Sequence, residues 1–337
     1  MNKKRLGQFF TICNPFDNII FFKWLKENNL LSHNITYLEP FAGSNNIPFL
    51  LSQLNLNNPW KCFDIQHFYD QNNNQINHFD KYQININDSL KNYPKGYKLA
   101  ITNPPYLAKN SATRSKINND FGGYDDLYKY ALDIMLKHTD FVAAIIPETF
   151  ITSTNLNLKS RLYAVISLQM KMFDDTECPV CLALFNKNPT EDFLVYKNDV
   201  FIGWYKELKQ LQKQPQNQYK FVFNDNNGQI WLNAIDNTKN DSIRFSLADS
   251  KCKNVNNSSR SYTRIKLPND WNLDDSQLTA YINALNDYLA KYRHETKDVF
   301  LSSFKGLRKD FKYRRRLSWT EAKRIMSVVY ELGGYDD

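Results

Sequence analysis

No apolar run in this chain approaches the roughly 20 residues of a membrane span. Its most apolar early stretch, residues 19–25, is interrupted by Lys23. That stretch follows Lys3, Lys4 and Arg5 but has neither the unbroken core nor the cleavage site of a signal peptide. Cysteine is scarce: five residues, at 13, 62, 178, 181 and 252. An odd, scattered set suggests no disulfide framework and points to a reducing compartment. Cys178-Pro179-Val180-Cys181 has the spacing of half a zinc site. A structural zinc site needs about four ligands and no second pair follows at a ribbon-like distance, so the preferred reading is two small residues in a buried strand. No metal, no internal repeat and no membrane partner is expected. The expectation is a soluble, cytoplasmic protein.

What is present is ample for two ordinary domains. The 337 residues are 42% hydrophobic, enough for a packed core, and 43 Lys and Arg against 35 Asp and Glu give a net charge of +8. Such a balance suits a polyanionic partner without separating DNA from RNA.

The first half alternates short apolar runs with helix-length segments. Strands are predicted over 35–39, 60–64, 82–86, 97–102 and 141–146. Asn14-Pro15 reads as a cap and first-turn proline for a helix with Phe16, Ile19, Ile20, Trp24 and Leu25 on its apolar face. A second helix is predicted over 125–137, and 67–81 is too polar to assign. This rhythm predicts an α/β fold, a doubly wound, mostly parallel sheet covered on both faces. After about Lys187 the texture changes. Residues 219–224 and 229–235 alternate around Asn226-Asn227-Gly228, a hairpin signal, and an Asn- and Ser-rich tract follows over 236–261. Helices resume over 275–292 and 319–332, the last with Ser318 and Glu321 as a capping box and Gly333 as its stop. We place the domain boundary near residue 190.

Four points in the first half need one another. Leu38-Glu39-Pro40-Phe41-Ala42-Gly43-Ser44-Asn45 is a turn after the first strand, where ligands of open α/β sheets bind. Asp64 ends the next strand, 25 residues on, and can accept from both hydroxyls of a ribose. Asp88 follows the third and can accept from an amino group. Either aspartate alone is a solvated strand end. Leu99-Ala100-Ile101-Thr102 then runs into Asn103-Pro104-Pro105-Tyr106. Two prolines fix φ and remove two donors while their carbonyls still accept, and the Asn103 side-chain oxygen accepts as well. Acceptors beside an aromatic face match a planar ring that bears an amino group.

In this order the four points resemble the class I S-adenosylmethionine-dependent methyltransferases, and Asn-Pro-Pro-Tyr is similar to the signature of their amino-methylating branch. Gly7-Gln8-Phe9-Phe10-Thr11 resembles the motif that opens the γ-order adenine-specific DNA methyltransferases of bacterial restriction-modification systems. Residues 141–146 with Pro147-Glu148 resemble that family's fifth strand. Met172-Phe173 through Leu184-Phe185 resembles its closing hairpin, in which an aromatic stacks on the target base. The resemblance covers residues 5 to 187. One departure is Asn45, where many relatives carry a second glycine; asparagine tolerates left-handed φ, so the turn can survive.

The resemblance implies a Rossmann-like class I methyltransferase domain over 1–190 and a C-terminal α+β target-recognition domain over 191–337. It implies S-adenosyl-L-methionine as cofactor, bound by Phe10, Thr11, Glu39, Pro40, Ala42, Gly43, Asp64, Ile65, Asp88 and Ser89. Asn103, Pro104, Pro105, Tyr106 and Phe173 would be catalytic, holding a flipped-out adenine. Only 64 residues separate Glu39 from Asn103, room for three strands but not for an inserted recognition domain, which supports γ order. Double-stranded DNA is the expected partner of a monomeric enzyme, with a restriction endonuclease encoded separately. Lys109, Arg114 and Lys116 would clamp DNA near the flipped base, or belong to a mobile loop. Arg308, Lys312, Arg314, Arg315 and Arg316 lie in a run that interleaves basic and aromatic residues; it is either a phosphate-contact surface or a solvated face. Rival readings are a ribosomal RNA adenine methyltransferase, a protein glutamine methyltransferase, and a DNA-binding module without catalysis.

Overall fold

The structure is a computed structural model that describes residues 13–69, 74–114, 120–173, 178–249, 255 and 259–333. The chain divides into two compact units, Met1–Tyr205 and Lys206–Asp337. The first contains α1 (Ile19–Glu27), β1 (Tyr37–Glu39), α2 (Asn46–Ser52), β2 (Trp60–Asp64), β3 (Ile84–Ile86) and β4 (Leu99–Thr102). It continues with α3 (Lys109–Arg114), α4 (Leu127–His138), β5 (Phe141–Pro147), α5 (Leu156–Lys159), β6 (Leu162–Ser167), β7 (Val180–Phe185), β8 (Leu194–Lys197) and β9 (Val200–Trp204). Helix α6 (Tyr205–Gln210) carries the chain into the second unit.

The nine strands form one sheet in the order β3-β2-β1-β4-β5-β7-β6-β8-β9. Strands β1 to β5 are mutually parallel, and β7 runs antiparallel between β5 and β6. Every residue of β4 and β7 is buried, as are Phe141 to Ile146 of β5. Continuous apolar runs of this kind belong to strands covered on both faces. Helix α1 buries Phe21, Trp24 and Leu25, and the Trp24 ring meets Phe141 edge-on at 6.1 Å. Trp24 Nε1–H donates to Asn186 Oδ1 at 2.9 Å, which satisfies the one polar atom that this indole takes inside.

Two expectations about this unit are corrected. The cap of α1 is Asn18, whose side chain accepts from the N–H groups of Ile20 and Phe21. Asn14 instead donates to the Leu50 carbonyl and accepts from Phe16 N–H. The boundary lies at 205 rather than near 190, because β8 pairs with β6 and β9 with β8, so the loss of helical rhythm after Lys187 marks added strands of the same sheet.

The second unit contains β10 (Val222–Phe223), β11 (Ile230–Asn233), β12 (Arg244–Leu247), β13 (Tyr262–Lys266), α7 (Asp275–Thr296), β14 (Ser302–Leu307), β15 (Tyr313–Arg316) and α8 (Trp319–Gly333). Its main sheet runs β10-β13-β11-β12, and β14 and β15 form a separate ladder. The hairpin expected around Asn226-Asn227-Gly228 does not form. The turn is there, with Gly228 N–H on the Asp225 carbonyl at 2.9 Å, but β13 lies between the two strands. Gly228 sits so close to the Ile265 backbone that an added Cβ would fall 2.6 Å from it. The local signal was right about the turn and silent about the strand that enters it. The tract 236–261 likewise contributes β12. Ser318 Oγ accepts from Glu321 N–H at 3.2 Å, whereas the Glu321 carboxylate turns to Arg324 at 2.7 Å, so only half of the predicted box forms.

Candidate active site

Strand order reverses between β1 and β4, and at such a switch point the two outgoing loops part and leave a crevice beyond the strand ends. Glu39 is the last residue of β1 and Asn103 the first after β4. Asp64 ends β2, next to β1, and Asp88 follows β3, next to β2. The topology therefore brings all four expected points to one edge of one sheet.

The carboxyl groups there are unusual. Glu39 is 1% exposed; its Oε1 accepts from Thr102 Oγ1 at 2.5 Å and from Phe41 N–H at 3.2 Å, while Oε2 is buried with no hydrogen-bond partner among the described residues. Burial pushes this carboxyl up to about 8, against the pull of Thr102 and Phe41 and with a further push from the Asp64 charge. Asp64 is also raised by burial, to about 6, although the N–H groups of Gly43, Gln66 and Ile65 favour its charged form. Gly43 N–H donates to Asp64 Oδ2 at 2.8 Å, so the loop after β1 is strapped to the end of β2. Gly43 has φ 57° and Asn45 φ 61°, both left-handed. Asparagine does stand where a second glycine was expected, and its side chain adds anchorage: Asn45 Nδ2 donates to the Tyr82 carbonyl at 2.7 Å and to Asn77 Oδ1 at 3.0 Å.

In the tetrapeptide, Asn103 and Pro105 are half-buried, and Pro104 and Tyr106 are buried. The Tyr106 hydroxyl carries one hydrogen and has two acceptors within reach, Asn103 Oδ1 at 2.6 Å and the Ile145 carbonyl at 2.5 Å. Burial drives the phenol well above its ordinary range, so it remains a donor. The Asn103 amide is thus oriented from within its own motif. Phe173, fully buried, meets Tyr106 edge to face at 6.0 Å and 71°. A ring sandwiched between parallel aromatics needs two layers of about 3.5 Å each. In this arrangement the two side chains pack on each other as core.

Asp88 is half-buried, accepts from Leu90 N–H at 3.2 Å and pairs with Lys91 at 3.1 Å. Ser89 is buried and accepts from Asn87 Nδ2 at 3.1 Å. Ile65 is exposed, and so is Ile86, an aliphatic pair beside Asp64 and Asp88 of which sequence reasoning singled out only the first. Thr102 was also missed. Its signal was a hydroxyl in an otherwise apolar strand, immediately before Asn103. Phe10, Thr11 and Lys116 lie outside the described residues. Pro40 and Ala42 are buried in the loop.

The expected DNA-contact residues divide sharply. Lys109 and Arg114 are exposed on α3, where Arg114 is held along its own helix by the Asn110 carbonyl and Ser111 Oγ. In the second unit Arg308 is 8% exposed and engages Asp310 at 2.6 Å and also Asp241. Arg315 is buried and donates to Ser303 Oγ at 2.9 Å. Arg314 donates to the Asp236 carbonyl at 2.6 Å. The basic run is therefore neither one phosphate-contact surface nor one solvated face, because several of its guanidinium groups are consumed internally. Lys312 is exposed, with Asp310 3.8 Å away. Among the described residues no helix is long and apolar enough to cross a membrane, and no group of three or more His, Cys, Asp or Glu is placed to hold a metal ion.

Strand order and switch-point site define a Rossmann-like α/β fold. Three solved structures illustrate what the chain is similar to. One, from Listeria monocytogenes, is assigned as a class I S-adenosylmethionine-dependent methyltransferase, with 14% identity, TM-score 0.37 and coverage of 52% of this chain and 62% of that one. The type I restriction-modification methyltransferase subunit from Streptococcus thermophilus shares 16% identity at TM-score 0.38, covering 55% and 47%. The type IIL restriction-modification enzyme MmeI, in complex with DNA, shares 11% at TM-score 0.39, covering 59% and 40%. The chain thus spans less than two thirds of each, and the fold assignment rests on the strand order itself. No protein-family model matches the chain, and no curated protein does.

Proposed function

We propose that the chain is an S-adenosylmethionine-dependent DNA methyltransferase of γ order that methylates the 6-amino group of a flipped-out adenine, as the modification enzyme of a restriction-modification system. The observation that carries this is the meeting of Asn103-Pro104-Pro105-Tyr106 with Glu39 at the switch point, linked through Thr102.

The residues present fit the cofactor. A buried carboxyl with an unpartnered oxygen and a raised pKa is costly unless a cationic ligand arrives, and S-adenosylmethionine carries an ammonium and a sulfonium. Glu39 and the Gly43 turn would hold its methionine end, Asp64 its ribose, and Asp88 with Ile65 and Ser89 its adenine. When bound, the cofactor supplies an electrophilic methyl group. Everything else falls to the chain. The amine of adenine is a poor nucleophile because its lone pair is delocalised into the ring. Asn103 Oδ1 and the Pro104 carbonyl, as two acceptors for its N–H bonds, draw the nitrogen towards tetrahedral geometry. The stabilisation grows as the transition state is approached, which raises turnover rather than binding. An adenine inside a duplex cannot reach such an edge, so it is extruded, at the cost of its stacking. The second unit reads the target.

The test is incubation of the full chain with methyl-labelled S-adenosylmethionine and either duplex DNA or ribosomal RNA, followed by nucleoside analysis. N6-methyladenine in DNA is expected, with its sequence context given by methylation-sensitive sequencing. Label in RNA or protein alone would replace this reading by one of its rivals.

A further inference from the structure

Three of the buried guanidinium groups of the second unit have acidic partners: Arg293 with Asp236 and Asp298, Arg308 with Asp241 and Asp310, Arg324 with Glu321. Many others do not, and three of these stand out by their placement. Arg260, Arg316 and Lys323 make no ion pair among the described residues, and the Arg316 Nε atom is buried without a hydrogen-bond acceptor. These three are not scattered. Just past the end of β11, Ala234 N–H donates to the Ser261 carbonyl and the Ala234 carbonyl accepts from Leu317 N–H, which brings residues 260–261 and 316–317 to one point. Phe223 and Trp319 stack beside it at 5.3 Å and 25°, each half-buried. The Arg316 guanidinium lies 5.7 Å from the Trp319 ring and the Lys323 ammonium 6.0 Å from the Phe223 ring.

We propose that Arg316, Arg260 and Lys323, grouped around the Phe223–Trp319 stack, form the site at which the second unit takes backbone phosphates of duplex DNA. Like charges grouped with no acid paired to them among the described residues are unfavourable by themselves and become favourable when an anion enters. Burial, with the Arg260 charge adding to it, already disfavours the charged form of Arg316, so this guanidinium gains from a counter-charge. The rings are already engaged with each other and with a cation each, so the cluster offers charge rather than a stacking platform. A phosphodiester matches that, and an exposed base does not. The inference rests on the DNA reading above and moves the contact away from Arg308, whose charge is matched by Asp241 and Asp310, and from the buried Arg315.

The experiment is fluorescence anisotropy of a labelled random-sequence duplex with the full chain across a sodium chloride series. Each phosphate contact contributes about 0.9 to the slope of log affinity against log salt. Replacing Arg260, Arg316 and Lys323 together by Gln should lower that slope by about 2–3, while S-adenosylmethionine affinity stays as in wild type. Arg316→Lys should keep the slope. Arg260 is exposed, so Arg260→Gln alone reports without disturbing the fold and should lower the slope by about 1. Arg308→Gln should lower the melting temperature and leave the slope alone. A triple variant and an Arg260→Gln variant with the wild-type slope would overturn this site and leave the DNA reading standing. A wild-type chain with no salt-dependent duplex binding would overturn both.

Discussion

Thr102 donates its side-chain hydrogen bond to Glu39 at 2.5 Å, joining the residue before the Asn-Pro-Pro-Tyr motif to the last residue of β1. Both groups are buried. The bond makes the two halves of the crevice mechanically one and lowers the cost of the Glu39 charge. Thr102→Val keeps the shape and removes the donor. It should destabilise the fold by about 1–3 kcal/mol, the range for a buried acceptor that loses its partner. It should also weaken S-adenosylmethionine binding at neutral pH, because Glu39 then ionises less readily. Denaturant melts and calorimetry check both, and unchanged affinity would uncouple Thr102 from the cofactor.

The raised carboxyls predict a pH dependence with a definite sign. Burial, the largest cause for both, lifts Glu39 from 4.5 to about 8 and Asp64 from 3.8 to about 6. A folded-state value above the unfolded one gives stability that is complete below the unfolded pKa and lost as pH rises through the folded one. Without ligand, stability should therefore fall as pH rises from about 4 through 8. A cationic cofactor favours the ionised carboxyls, so its affinity should rise over the upper part of that window and level off above about pH 8. A flat affinity profile between pH 6 and 8 would mean that these groups do not face the cofactor's charge.

Asn103→Ala should cut single-turnover methylation by on the order of 100- to 1,000-fold with DNA binding nearly intact, as for loss of a group that acts in the transition state. Tyr106→Phe removes the hydroxyl that orients Asn103. Its rate should drop about tenfold, the equivalent of one buried hydrogen bond, with cofactor affinity preserved. Wild-type rates in Asn103→Ala would remove the centre of the proposed mechanism.

Phe173 distinguishes core from substrate contact. As a fully buried ring against Tyr106, Phe173→Ala should cost about 3–5 kcal/mol of stability. If the ring also meets an extruded base, the variant's rate should recover on duplexes whose target adenine is mispaired and cheaper to extrude. A variant that melts like wild type would contradict the packing described here.

Arg293 makes a two-armed pair with the fully buried Asp236, at 2.9 and 2.8 Å, and reaches Asp298 at 2.8 Å. Burial alone would raise the Asp236 carboxyl, but the hydrogen bonds and charge of Arg293 hold it below its ordinary range. Asp236→Ala leaves a buried guanidinium short of a partner and should destabilise the second unit by about 3–5 kcal/mol. A loss under about 1 kcal/mol would show that Asp298 and Asp241 compensate.

Order along the chain and local chemistry were enough to foresee that the four expected points share one edge of the sheet. A buried strand, a rigid acceptor-rich tetrapeptide and acids at successive strand ends leave few alternatives once the sheet is parallel, since side-chain period and strand direction then place them on one edge. Strand β2 and the start of β5 fall where the apolar runs put them, and left-handed Asn45 follows from the tolerance of that side chain. Tertiary structure alone decided the rest. Whether Arg308 faces water or Asp241, whether β10 pairs with β11 or admits β13, and whether Thr102 meets Glu39 are contacts between residues tens of positions apart. Their energies depend on which groups share a buried space. A basic run, a turn signal or a single threonine reads the same in the sequence however that space is filled.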